Sequence, residues 1–239
     1  MTHTSAFTVA LFDLDGTLLD TIPDLADAVN GMRRDMGMEP LRQDLIATYV
    51  GKGTPHLVAR SLSDAPPLAG ASAAARAREG LRLFEHHYRQ VNGARATLYP
   101  DVREGLSAFA DMGIRRAIVT NKPTEFTHSL LKRAGLADFF EHVVCGDTCA
   151  RKKPDPMPML HACALMGADP ARVLAIGDSI NDAEAARAAG ITVLAVPYGY
   201  NEGRDVRTLP VDAIVATIKE AALWAARHRP EPKPIPEHS

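Results

Sequence analysis

The stretch that most constrains this chain runs from residue 7 to residue 17 and reads FTVALFDLDGT. Six largely apolar residues, Phe7 to Phe12, bounded by turn chemistry, predict a buried β-strand. At its carboxyl end stand Asp13 and Asp15. Along an extended chain, residues i and i+2 point the same way, so the two carboxylates are expected to face one pocket. Like charges that close repel, and the pair requires a cation or a proton to persist. Gly16 permits a backbone turn that other residues resist. A strand ending in an Asp-Gly turn, with Asp15 or Thr17 capping the next element, explains the same residues without chemistry. The rest of the chain decides between the two.

The 239 residues suffice for one domain or one and a half with an ample core. A net charge of −2 without a long basic run gives no electrostatic support to a nucleic-acid or membrane-surface partner. No segment reaches the roughly 18–20 uninterrupted apolar residues of a membrane span, and the first residues, MTHTSAF, show no signal peptide. Three cysteines, Cys145, Cys149 and Cys163, form an odd set that points to a reducing, cytoplasmic setting. Their spacing lacks the second pair a zinc site needs, and buried small apolar side chains are expected instead.

After the DLDGT turn, Ile22, Leu25, Val29, Met32 and Met36 fall at helical spacing, with Thr21 at the start, Pro23 in the first turn and Gly37 at the end. Short helices are predicted over 41–50 and 55–62, interrupted by Gly51-Lys52-Gly53. A small-residue loop, DAPPLAGAS, leads to a long helix over 74–92, buried through Leu81, Phe84, Tyr88 and Val91. Its adjacent His86 and His87 do not share a face, which argues against a metal pair. No strand is expected between 18 and 92. From residue 100 the pattern alternates: helices over 101–113, 124–134, 156–166, 182–189 and 213–226, and strands over 117–119, 142–145, 173–176 and 192–196. Such alternation is the signature of an α/β fold, a doubly wound parallel sheet of Rossmann-like type. The expected organisation is an α/β core of residues 1–17 and 96–228, an inserted α-helical domain of residues 18–95, and a proline-rich tail of residues 229–239.

Open parallel sheets bind ligands beyond the carboxyl ends of their strands. There this chain places Asp13 and Asp15, Thr120 and Asn121, Lys152 and Lys153, and Asp178, Asn181 and Asp182. The inventory suits phosphoryl transfer. Asp13 and Asp178 offer hard oxygen ligands for Mg²⁺, and no His or Cys accompanies them. Thr120 and Asn121 can donate to phosphoryl oxygens, and a lysine balances the charge of the equatorial oxygens. One carboxylate can accept the phosphoryl group and its neighbour can move protons.

DLDGT, a strand ending in Thr-Asn, Lys-Pro, and GDSIND, in that order, resemble the haloacid dehalogenase (HAD) superfamily of phosphatases over residues 7–200. The VTNKP, KPDPMP and PYGYNEG segments resemble the branch that hydrolyses 2-phosphoglycolate. The resemblance implies that Asp13 is the nucleophile and Asp15 the general acid/base, with its backbone carbonyl on Mg²⁺. It implies Thr120 on the phosphoryl group with Asn121 beside it, Lys153 as the motif lysine, Asp178 on the metal, and Asp182 in a supporting position. Lys152 is read as a solvated extra. Thr17 either bonds near the nucleophile or caps the turn. The insert takes the place of the superfamily's cap domain, where Gly51, Lys52 and Gly53 form either a substrate-reading loop for a small carboxylate or a plain helix–helix turn. The expected partner is a small phosphorylated substrate, with no nucleic acid and no membrane, for a monomer or small homo-oligomer. Hydrolysis of a sugar phosphate or pyrophosphate, or a sugar-phosphate mutase reaction, are the competing readings. A non-catalytic module is disfavoured because every catalytic position is filled.

Overall fold

The four buried residues Val9–Phe12 form β1, at the centre of a six-stranded sheet. The computed structural model describes residues 7–63 and 72–228. Most of the DAPPLAGAS segment, the first residues and the proline-rich tail lie outside them.

In chain order the elements are β1, β2 (Leu19–Asp20), α1 (Ile22–Asp35), α2 (Gln43–Ala47), α3 (Thr54–Ser61), α4 (Ala73–Val91) and β3 (Thr97–Leu98). Then come α5 (Val102–Asp111), β4 (Arg115–Val119), α6 (Thr124–Arg133), β5 (His142–Val144) and α7 (Met157–Met166). Last are β6 (Val173–Gly177), α8 (Ile180–Ala188), β7 (Thr192–Ala195), β8 (Ala213–Ile214) and α9 (Ile218–Arg227). The main sheet runs β5-β4-β1-β6-β7-β8 with every pairing parallel. Alternation within β1 shows why both faces are covered. Ala10 and Phe12 join Leu106 and Phe109 of α5 and Ala221 of α9 on one side. Val9 and Leu11 join Met159 and Ala162 of α7 and Ala185 of α8 on the other. A continuous apolar run is what a doubly covered parallel strand needs.

Register sets the site. Phe12 pairs with Ile118 of β4 and with Ile176 of β6. The three central strands therefore end at one level, delivering Asp13, Thr120 and Asp178 to one rim.

Helices α1–α4 bury a core of their own, including Val29, Met32, Ile46, Val58, Phe84 and Tyr88, against which Phe126 of α6 also packs. The chain leaves and re-enters the sheet region through β2 and β3, which pair antiparallel, Leu19 opposite Leu98. The carboxylate of Asp24, fully buried, accepts from the backbone N–H groups of Gly93, Arg95 and Ala96 at 2.7, 2.7 and 3.2 Å. One buried acid thus ties the first turn of α1 to the returning segment.

The short strands and the last helix depart from the sequence reading, β3 as the unexpected partner of β2. A two-residue strand, β2, lies where none was expected, because its ladder partner sits about eighty residues away in sequence. The helix read over 213–226 begins at Ile218 instead. Ala213 and Ile214 pair with Leu194 and Ala195 as the sheet edge, and the Thr217 hydroxyl accepts from Glu220 N–H to start α9. Cys149 is half-buried, while Cys145 and Cys163 are buried as expected, and all three are free thiols.

Candidate active site

The turn after β1 begins as a continuation of the sheet, with Asp13 N–H donating to Ile176 O at 3.0 Å. Asp13 and Asp15 then line one cavity, together with Thr120, Asn121 and Lys122 from the end of β4 and Leu57 and Tyr88 from the helical layer. Its volume is about 50 Å³, room for a few water-sized groups at roughly 10–15 Å³ each.

Behind Asp13 lies the acidic cluster. Carboxylate oxygens of Asp13, Asp178 and Asp182 all fall within 4.8 Å of one another. Asp178 accepts from the Thr17 hydroxyl at 3.0 Å and from Tyr200 N–H at 2.7 Å. Thr17, fully buried, therefore bonds inside the site. The close approach of two loops depends on glycine: a Cβ at Gly16, whose φ is +86°, would stand 2.5 Å from Asp178 Oδ2, and one at Gly199 would stand 2.2 Å from Asp178 Cβ.

Lys153 Nζ, buried, reaches three oxygens: Val119 O at 2.6 Å, Asp182 Oδ1 at 2.6 Å and Asp13 Oδ1 at 3.0 Å. Asp182 is held in turn, its Oδ2 accepting from Ser179 N–H at 3.1 Å and Ser179 Oγ at 2.6 Å in a capping box that opens α8. Of the two adjacent lysines, Lys153 is the one the structure brings against Asp13 and Asp182. Lys152 is half-buried, its ammonium 3.1 Å from where a Cβ on Gly53 would sit, so it packs on the helical layer's loop rather than standing free in solvent.

Charge shapes the cluster. Burial, with the neighbouring Asp182 and Asp15 carboxylates, raises Asp13 to about 7 against the pull of Lys153. Burial and the charges of Asp182 and Asp13 likewise hold Asp178 well above the usual carboxylate range. Burial works against the Lys153 ammonium, but Asp13 and Asp182 hold it above the ordinary lysine value. Three clustered carboxylates facing one ammonium leave an excess of negative charge. Asp13 Oδ1, moreover, is buried without a hydrogen bond, its contact being the ion pair. An all-oxygen donor set of this kind fits a hard divalent cation such as Mg²⁺.

The shifts fix a sign for stability. An acid raised in the folded state keeps its proton while the unfolded chain loses its own. Without added metal, stability therefore falls as pH rises from about 4 to about 7 through Asp13. Thermal melts should show that slope flattened in Asp13→Asn, and Mg²⁺ should raise Tm more at pH 8 than at pH 5. A wild-type slope identical to that of Asp13→Asn would contradict it.

The loop of residues 51–53 divides. Gly51 and Gly53 line the cavity, whereas Lys52 does not and pairs with Glu202 at 2.8 Å. Asn121 lines the cavity, yet its amide nitrogen donates to Gly51 O and Lys153 O, both at 2.9 Å, and its oxygen accepts from Lys153 N–H at 3.0 Å. Its side chain braces two loops against each other rather than offering donors to a phosphoryl group. Lys122 and Tyr88 line the cavity although the sequence reading gave neither a role there. Lys122 directly follows the Thr-Asn pair, a signal that was available. Tyr88 was read as buried stripe, and it is both that and a wall of the cavity.

A parallel α/β sheet with acidic loops at its carboxyl edge, a buried lysine among them and a helical layer over the cavity defines a hydrolase of the phosphoryl-transfer type. The haloacid dehalogenase-like hydrolase model matches residues 7–190, and the chain belongs to that family, as an enzyme of its phosphatase branch. Phosphoglycolate phosphatase of Nitrosospira multiformis is 50% identical over 211 residues, covering 88% of this chain and 92% of that one. Phosphoglycolate phosphatase of Thiobacillus denitrificans is 46% identical over 220 residues, covering 91% and 95%. The crystal structure of a predicted phosphoglycolate phosphatase from Haemophilus somnus superposes with a TM-score of 0.86 at 30% identity, covering 92% of this chain and 98% of that one. Among the described residues, no helix is long and apolar enough to cross a membrane.

Proposed function

We propose that this enzyme hydrolyses 2-phosphoglycolate to glycolate and inorganic phosphate through a phosphoryl-enzyme on Asp13. The carrying observation is Asp13 itself: a carboxylate on the floor of a small cavity, paired to Lys153 and flanked by Asp15. The names of the relatives support this substrate.

In this reading Asp13 attacks phosphorus, and the ester P–O bond breaks as the new Asp13–phosphorus bond forms. Asp15 protonates the departing glycolate oxygen, then takes a proton from the water that cleaves the acyl phosphate. Thr120 donates to a phosphoryl oxygen, and Lys153, fixed by Asp182 beside Asp13, supplies balancing positive charge. Mg²⁺, held by Asp13, Asp178 and the Asp15 backbone carbonyl, would supply charge neutralisation to the phosphoryl group. The helical layer of residues 18–95 acts as the cap, its Tyr88 and the loop of residues 51–53 keeping bulk water from the cavity. The three free thiols support a reducing, cytoplasmic setting.

Phosphate release measured over a panel of small phosphomonoesters and pyrophosphate, with and without Mg²⁺, tests the reading. The highest kcat/KM should fall on 2-phosphoglycolate and should require Mg²⁺. A sugar phosphate or pyrophosphate at the top of the panel would overturn the substrate, and metal-independent release would overturn the cofactor.

A further inference from the structure

Hydrolysis of a phosphate ester needs cations around the phosphoryl group, and Lys153 at Asp13 meets that need. The cavity holds another cation that this need does not explain. Among the described residues lining it, Lys122 carries the one cationic side chain. Its side chain is 3% exposed, and a buried ammonium is costly unless its protons find acceptors. Two partners are present: the Asp15 carboxylate at 3.1 and 3.2 Å, and the Tyr88 hydroxyl, which accepts at 2.6 Å. An ammonium has three protons, and these three contacts can engage all of them; when Asp15 accepts through one oxygen alone, one N–H is released to an anionic occupant of the cavity. Around it the wall turns apolar, through Leu25, Val50 and Leu57.

The two partners belong to different parts of the molecule. Asp15 follows β1, whereas Tyr88 sits on α4 of the helical layer, wedged between Phe84 and Phe126 at ring separations of 5.3 and 4.8 Å. Packing on both sides fixes the hydroxyl, and the hydroxyl fixes the ammonium. A donor pre-oriented in this way binds an anion with little further loss of side-chain freedom.

We propose that Lys122, positioned by Tyr88, is the residue that reads a carboxylate on the organic part of the substrate. A carboxylate brought into the cavity beside Lys122 forms a charge-assisted hydrogen bond with a buried ammonium. A neutral group in its place forgoes that charge-assisted bond, and a site built around a charge discriminates strongly against an analogue that lacks its counter-charge. Lys52, by contrast, pairs with Glu202 outside the cavity lining. The inference rests on the phosphoglycolate reading and sharpens it, by stating which side chain makes an anionic leaving group preferred.

The test compares kcat/KM for 2-phosphoglycolate with kcat/KM for its neutral analogue 2-phosphoglycolamide within each protein, so that any general loss of activity or fold cancels. In the wild type the ratio should favour the carboxylate by about 100-fold or more. In Lys122→Met it should fall to about one, with most of the change in the KM for 2-phosphoglycolate, and Lys122→Arg should restore part of it. Tyr88→Phe keeps the ring in its packing and should lower the ratio by about tenfold; it carries the test if Lys122→Met fails to fold. A wild type without preference overturns the phosphoglycolate reading. A wild-type preference that survives in both Lys122→Met and Tyr88→Phe, or in Tyr88→Phe where Lys122→Met does not fold, leaves that reading standing and overturns the role of Lys122.

Discussion

Asp13→Asn should leave a folded protein with kcat reduced by about 10⁴-fold or more. The amide matches the carboxylate in shape and cannot act as the nucleophile. The same change should not destabilise the metal-free enzyme at neutral pH, and a higher Tm is expected. Burial and the nearby Asp182 and Asp15 carboxylates already raise Asp13 to about 7, so the native state bears a cost to ionise it there. Loss of turnover together with an equal or higher Tm separates a chemical role from a structural one. Circular dichroism melts and phosphate release measure the two. An inactive variant with a lowered Tm would mean that Asp13 is a scaffold residue, and retained activity would mean that another group accepts the phosphoryl.

Lys153→Met carries the second large effect, and here activity and stability fall together. Among the described residues the ammonium is the one cation in contact with both Asp13 and Asp182, at 3.0 and 2.6 Å, and all three side chains are largely buried. Removing one partner from a buried ion pair costs about 3–5 kcal/mol. The cost depends on pH. The orphaned carboxylates can take up protons, so the loss in Tm should be greatest near pH 8 and smaller near pH 5. Activity should drop by about 10³-fold, since a preorganised donor to the phosphoryl oxygens is gone. A Tm deficit independent of pH would show that Lys153 acts through packing and through Val119 O rather than through the carboxylates.

The parts of this site that could be read from sequence are those carried by short spacings. Asp13 and Asp15 lie on one strand end, and the period of two predicts a shared pocket before any coordinates exist. The central strands were legible because Val9–Phe12 and Val173–Gly177 are continuous apolar runs, which only a doubly covered sheet accommodates. Relations that depend on packing between distant segments were not legible. Asp24 receives its N–H partners from residues 93–96, and nothing local to Asp24 announces it. Tyr88 met the helical period of a core residue, which hid its hydroxyl's bond to Lys122. Lys52, flanked by two glycines, looked like an exposed cation in a ligand loop. Its pairing with Glu202 of the PYGYNEG segment depends on how the helical layer sits over the sheet, and local sequence carries no such information. The edge strand β8 was absorbed into a helix because Ala213 and Ile214 have no strand signal of their own beyond their ladder with β7.

A phosphoryl-enzyme on Asp13 can be trapped directly. Acid quenching during turnover of 2-phosphoglycolate in the presence of Mg²⁺, followed by borohydride reduction, converts an acyl phosphate at an aspartate to homoserine, which peptide mass mapping locates. Homoserine is expected at position 13, present with substrate and absent without it. An unmodified Asp13 under conditions of steady turnover, or homoserine at position 15 in its place, would contradict it.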